Sequence, residues 1–532
     1  MVKSTPFGLI GLLLVSLSTM GQYIPLDNYY YGRLTEKCQK DNIPVFISMK
    51  PILLQDIDTS YHIEEALYPL QKSKSGRGSL LFRKLFNESL ITYKEKDLSI
   101  TVDPLFNFGV GHDSKASKST WINSRGISLT GLINKNISFN TEIIENQAVF
   151  PSWPTSFIKS NKIIPGQGLY KPFKTTDGFD YFYSSGYLSY NQSKHINLTL
   201  GYGKNFIGEG YRSMLLSDAS YNYPYLKLTT NFKNVKYTVL YEQFVDHGVA
   251  QDADFGYNKK WSTIHYLQVM LWKRLNIGLF DALIWENADS TGYRGFDVQY
   301  LNPVILLRPI EESNGSPDNA LMGTTMSFRV NKHINIYGQL LLDEFKLSHM
   351  KARDGWWGNN NGYQIGISGW NLLNIPSLDA RVEYNQARPF TYAHGKTIES
   401  YSNYGQPLAH PLGANFREVV AMASYSKGNW IANLKLNYAM YGLDTAGKDF
   451  GGNIFIPYGQ HVMEYGNKIG QGLKTHLTTA DASLAYLLNR RTNLRIEVGM
   501  TDRMEKNDKW DKEMQYFYFG IKTGLRNLYS DF

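Results

Sequence analysis

From about residue 98 onward the chain alternates apolar and polar positions in segment after segment. In SLDARVEYN, Leu378, Ala380, Val382 and Tyr384 share one face, and Asp379, Arg381, Glu383 and Asn385 share the other. In NWIANLKLNY, Trp430, Ala432, Leu434, Leu436 and Tyr438 oppose Asn433, Lys435 and Asn437. In TNLRIEVGM, Leu494, Ile496, Val498 and Met500 oppose Arg495, Glu497 and Gly499. A period of two marks a strand whose faces meet different environments. Counting such segments predicts about 18 strands, an even number as bacterial single-chain barrels have. They lie near 98–110, 121–133, 136–149, 180–191, 195–203, 224–232, 235–244, 262–272, 275–286, 320–330, 333–345, 362–371, 377–387, 416–426, 429–440, 478–488, 491–501 and 514–525.

The segments come in pairs. Within a pair the connection is short and rich in Asn, Lys or Gly, as in INKNI (133–137), FKNVK (232–236), WKRLN (272–276) and SKGN (426–429). Between pairs it is long and aromatic. A soluble sandwich also alternates, but its loops are usually short at both ends. Short turns at one end and long loops at the other are the pattern of an outer-membrane β-barrel, with an apolar exterior and a polar lumen. Lipid offers no hydrogen bonds, so strands can cross it only as a closed sheet. The last strand, MQYFYFGIKTGL, and the terminal Phe532 resemble the signal that the barrel-insertion machinery reads.

The first 97 residues do not alternate. Residues 1–21, MVKSTPFGLIGLLLVSLSTMG, have a lysine, a short apolar run and then small residues, so a secretory signal peptide is expected. Residues 22–97 contain IEEALYPLQK (63–72) and SLLFRKLFNESL (79–90) at helical spacing, with Leu80, Leu81, Leu85 and Leu90 able to share a face. A helical segment in the periplasm or partly in the lumen is expected there, and the transmembrane barrel over 98–532. The fold class is therefore all-β: an outer-membrane antiparallel barrel with a small N-terminal helical segment.

Composition narrows the function. Aromatic residues make up 14% of the 532, with 38 Tyr, which suits membrane interfaces and sugar-binding surfaces. A mean hydropathy of −0.34 is too polar for a helical membrane protein. One cysteine, Cys38, allows neither an internal disulfide nor a thiolate metal site. The net charge of +8 is scattered, so no nucleic-acid partner is expected.

The glycine-rich GYGKNFIGEGYRSMLLSD (201–218) superficially resembles a phosphate loop. However, Lys204 comes at its start and is followed by Asn205, with Ser213 far away, the wrong order for that motif. An extracellular loop folded tightly over the barrel mouth is expected instead. His394 and His410 share one long loop, and Asp218, Asp354 and Glu418 are available as acids, but no spacing joins them into a catalytic set. No HExxH occurs. The reading is non-enzymatic, without metal or cofactor.

Four motifs carry a resemblance: GKNFIGEGYRSMLLSD (203–218), ENQAVFPSW (145–153), YLNPVILLRPIEESNGSPDNALMG (300–323) and ARPFTYAHG…NYGQPLAHPLGANFRE (387–418). Together they resemble the Bacteroidetes branch of the Wzi-like capsule-assembly outer-membrane proteins, similar to the gliding-motility protein RemB. The resemblance implies a monomeric 18-stranded barrel with a periplasmic helical part. It also implies a noncatalytic role in retaining capsular polysaccharide, or in adhesion or gliding. Clusters of Tyr, Trp, Asn and Gly at 211–225, 353–363 and 399–411 suit sugar faces and hydroxyls. Tyr211, Arg212, Asn302, Trp356, Trp357, Tyr404 and His410 are the candidate contact or loop-scaffolding residues. Expected partners are outer-membrane lipid, lipopolysaccharide and capsular or extracellular polysaccharide. The competing readings are a channel or solute-uptake porin, and a structural component of an envelope motility or secretion complex.

Overall fold

The computed structural model describes residues 22–57, 59–68, 79–246, 256–289, 292–306, 318–524 and 526–532. The expected signal peptide lies outside these residues, as does 307–317 of the third motif.

Eighteen long strands form a closed antiparallel barrel. In chain order they are β1 (Leu98–Asp113), β2 (Lys118–Ile133), β3 (Ile137–Val149), β4 (Thr175–Asn191), β5 (Ile196–Gly203) and β6 (Tyr223–Phe232). Then come β7 (Val235–Asp246), β8 (Asn258–Leu271), β9 (Leu275–Glu286), β10 (Asn319–Arg329), β11 (Ile334–Leu342) and β12 (Asn361–Gly369). The last six are β13 (Leu378–Ala387), β14 (Phe416–Lys427), β15 (Trp430–Leu443), β16 (Leu473–Asn489), β17 (Leu494–Lys506) and β18 (Asp511–Lys522). Each pairs with its sequence neighbours, and β18 closes on β1 from Tyr516↔Asp113 to Lys522↔Asn107. Below that register a short strand, Ile91–Lys94, takes over the same edge of β1 through Ile91↔Val102. Residues 91–94, read from sequence as part of the helical segment, thus complete the wall.

The predicted faces sort as lipid and lumen require. Val382, Leu434, Leu436 and Val498 are exposed on the outside, while their neighbours Glu383, Asn437 and Glu497 are buried within. Exposed Phe232, Trp272 and Trp430 ring the short-turn end, the place of an interfacial aromatic belt. That end is the periplasmic one.

The N-terminal segment packs against the short turns of the barrel. Helix α1 (Asn28–Lys40) starts at Asp27, whose side chain accepts from the Tyr29 N–H. It packs Leu34 and Cys38 against Ile43, Ile52, Ile63 and Leu67, the last two from α2 (Ile63–Leu67). Polar contacts fix this small core to the turns. Gln39 Nε2 donates to the Ile334 carbonyl at 3.0 Å, Asn371 Nδ2 to Glu36 Oε1 at 2.9 Å, and Tyr30 Oη to the Arg491 carbonyl at 3.1 Å. Helix α3 (Leu80–Phe86) sits at the rim, where Asn489 Nδ2 donates to the Lys84 and Glu88 carbonyls. Its Leu80, Leu81 and Leu85 are exposed, as are the nearby Leu90 and the outward Ile91.

Three connections depart from expectation. Residues 204–222, between β5 and β6, do not cover the mouth but enter the lumen, almost wholly buried. Phe206–Ile207 pair there with Met49–Lys50 of the N-terminal segment. Met214, Leu215 and Leu216 join Ile264, Phe280, Ile284, Leu321 and Leu341 from the wall in an apolar core. The lumen expected to be polar is in this part hydrophobic, because the wall of β8–β11 turns apolar side chains inward to meet the insertion.

The C-terminal tail, 526–532, also runs inside. Phe532 packs edge-on against Trp153 and Phe157 of α4 (Ser152–Asn161), with ring centroids 5.3 and 5.4 Å apart. The terminal aromatic is therefore a lumenal packing residue and not the end of the last strand, whose own aromatics are Tyr516 to Phe519.

The third departure is a strap outside the wall. Residues 296–304, after β9, run back along the exterior of β7–β9. Tyr237 Oη donates to the Pro303 carbonyl at 2.6 Å, Tyr241 Oη to Leu301 at 3.2 Å and Thr263 Oγ1 to Tyr300 at 3.3 Å. Wall hydroxyls thereby satisfy carbonyls that lipid would leave unmet. Beneath the strap Trp285 packs at a tilt against Tyr300 and edge-on against Phe296, with ring centroids 4.7 and 5.4 Å away.

Candidate functional site

The inserted segment carries its charge into the lumen. Arg212 is 1% exposed. Its Nη2 donates to Glu418 Oε1 at 2.9 Å and to Asp531 Oδ1 at 3.0 Å, joining the insertion to β14 and to the tail. Lys435 of β15 holds the second Asp531 oxygen at 2.8 Å, and Tyr211 Oη donates to it at 2.9 Å. The Tyr211 and Arg212 N–H groups both donate to the Glu383 carboxylate, at 2.8 and 3.1 Å. His410, fully buried, contacts Glu418 Oε2 through Nε2 at 2.7 Å. A side chain at Gly210 would run into the Glu383 carboxylate, and Gly208 has φ +145° beside Gln339, so glycine is needed where the insertion presses on the wall.

Electrostatics keep the Asp531 carboxylate of this network ionised. Burial works against the Asp531 charge, but Arg212 and Lys435 outweigh it and hold the carboxyl below its usual range. Burial pushes the His410 imidazole down despite Glu418. Lys204, buried against the Gly166 and Asp218 carbonyls at 2.8 and 2.9 Å, is lowered to about 7 by desolvation. The network ties the insertion, the tail and β13–β15 together inside the lumen. Among the described residues no group of His, Cys, Asp and Glu forms a metal site.

Tyr211, Arg212 and His410 are thus gathered in the lumen. Trp356 and Trp357 stand elsewhere, on the outer loops. The residues between α5 (Leu347–Ala352) and β12 bring them into a ladder of rings. His349 stacks on Trp356 at 4.9 Å, Trp356 meets Trp357 at 5.6 Å, and Trp357 stacks on His461 at 4.6 Å. Tyr458 flanks Trp357 at 5.0 Å. Trp356 Nε1 donates to Glu464 Oε1 at 2.9 Å, and His349 contacts Asp354 at 2.6 Å, so polar groups fix the rings. The four ladder rings are half-buried, with the Lys346 ammonium 4.6 Å from the Trp356 ring centroid. Tyr404 lies in the loop after β13, edge-on to Tyr221 at 5.1 Å. Asn302 is remote from both groups. It sits in the strap, where its side chain accepts from the Val304 N–H at 3.0 Å.

A closed strand wall with an apolar exterior decides the class. This chain is an outer-membrane β-barrel. No family model matches the chain, and no curated protein matches it. Among solved structures it is similar to Wzi of Escherichia coli, an outer-membrane protein involved in group 1 capsule assembly and described as a carbohydrate-binding β-barrel. That match covers 95% of this chain and 100% of the other, with a TM-score of 0.56 at 13% identity, a likeness of fold. OprD of Pseudomonas aeruginosa aligns over 79% of this chain and 94% of its own, with a TM-score of 0.42 at 9% identity. OccAB2 of Acinetobacter baumannii aligns over 80% and 98%, with a TM-score of 0.44 at 11% identity.

Sequence reasoning missed the partners that make the lumenal network. Glu383, Lys435 and Asn437 were legible as inward-facing residues. Asp531 carried no signal, since the tail has no periodicity.

Proposed function

We propose that this barrel is a noncatalytic, monomeric binder of surface polysaccharide, a Wzi-like protein that holds capsular or extracellular glycan at the cell surface. The observation that carries the reading is the half-buried ring ladder His349–Trp356–Trp357–His461 on the outer loops. Aromatic faces flanked by polar groups are suited to sugar rings with apolar faces and hydroxyl edges. The fold shared with a carbohydrate-binding capsule-assembly barrel supports the reading, as do the four sequence motifs. Within the Bacteroidetes branch the retained glycan would serve capsule attachment, adhesion or gliding.

The test is a deletion strain complemented with Trp356→Ala/Trp357→Ala. Wild type is expected to restore capsule retention or spreading on agar. The double variant, present at equal surface level, is expected to fail. Full restoration by the double variant would remove the ladder from the function.

A further inference from the structure

Toward the outer loops, β12, β13 and β14 end beside a cleft of about 410 Å3. Its wall residues face outward. Along β13 the outward positions run Val382, Tyr384 and Gln386, and Arg388 follows just past the strand's end. Tyr363 of β12 lies against Tyr384, with ring centroids 5.8 Å apart, and both hydroxyls reach Gln386 Oε1, at 3.5 and 2.9 Å. An aromatic pair above a band of Val382, Ile365 and Ile367 marks the outer-leaflet interface. The next residues outward stand at headgroup depth. They are Arg388 and Arg417 from the wall, with Arg353 and Lys468 from the loops.

Among the described residues none of these four cations makes an ion pair with a carboxylate. Asp354, whose charge acts on Arg388 from beyond ion-pair distance, is already engaged by His349 at 2.6 Å and by the Trp356 N–H at 3.0 Å. The Nε of Arg388 is buried without a hydrogen-bond partner. Arg212, Arg294 and Arg495, by contrast, are each paired with a carboxylate. Cations left open at headgroup depth are arranged for an anion arriving from the membrane side.

We propose that this cleft binds the phosphate groups of the glycolipid that forms the outer leaflet. Arginine presents a planar donor fork that matches phosphate oxygens. The strand residues of the cleft, Gln386 and Arg417, sit on the outward face of the wall, which favours a membrane-anchored phosphate over a free polysaccharide. His349 lines both the cleft and the ring ladder, so lipid bound here would brace the loop that carries Trp356.

The test uses full-length protein purified in detergent and stripped of lipid, titrated with bisphosphorylated lipid A and with the same lipid lacking its phosphates. Binding is read by native mass spectrometry. Wild type is expected to prefer the phosphorylated lipid by about tenfold or more, one charge-assisted contact being worth that much. Arg388→Gln/Arg417→Gln is expected to lose the preference while keeping the heat-modifiable migration of a folded barrel. Arg417→Lys, at an exposed position, is expected to fall between them. Equal binding of the phosphate-free lipid, or an unchanged double variant, would overturn the proposal. So would full displacement by millimolar inorganic phosphate, which would make this a free-anion site. Binding of an acidic polysaccharide through the same arginines without any lipid A uptake would also overturn it.

Discussion

At the scale of single residues the lumenal network buries charges that depend on one another. Arg212 has two carboxylate partners in a fully buried setting, and removing one partner of such a group leaves charge uncompensated. Glu418→Ala is therefore expected to destabilise the folded barrel by about 3–5 kcal/mol, measured by urea unfolding in detergent. A cost under about 1 kcal/mol would mean that Asp531 alone satisfies the guanidinium. Asp531 also sets a pH response. Its native carboxyl is held below its unfolded value, so it contributes stability above about pH 4, and this is lost as pH falls toward the depressed native value. Protease access to the tail is expected to rise in that acid window. Much of this was readable only by half. Alternation put Glu383 and Lys435 inside, but nothing in the order of residues says that a tail ending in Asp531 will return to meet Arg212.

At the scale of elements, the strands were the legible part because each hairpin announces itself through local alternation and a polar turn. The insertion, the tail and the strap were not, because their partners are distant in sequence and their shape follows from the barrel that encloses or supports them. The strap leaves a trace in the wall. Tyr237, Tyr241 and Thr263 occupy outward positions where lipid alone would favour purely apolar side chains, and each donates to a strap carbonyl. Tyr241→Phe/Thr263→Val removes two of these hydrogen bonds. It is expected to cost about 1–3 kcal/mol in urea unfolding, at 0.5–1.5 per bond. Tyr425→Phe, at an exposed outward position of β14 away from the strap, should cost less. Equal costs would show that the strap is not held by the wall. The glycines of 201–218 belong here too, since they let a packed segment pass against inward carboxylates and amides rather than cradle a ligand.

At the scale of the whole molecule, the N-terminal core packs against the periplasmic turns and the insertion and tail run inside the lumen, leaving cavities of about 220 and 440 Å3 between them. The outer loops are left as the surface that meets the environment. A solute-uptake barrel needs a continuous aqueous path. Purified protein in planar bilayers is accordingly expected to show no stable conductance step, and sustained open steps would favour the porin reading. The most direct measurement is titration of purified, folded protein with the surface polysaccharide of its own cell, comparing wild type with Trp356→Ala/Trp357→Ala. Binding by the wild type and a loss of about tenfold or more in the variant, roughly 1.4 kcal/mol, is the predicted result. Equal affinity of the two proteins, or no binding by the wild type, would contradict a glycan-holding role for the outer loops.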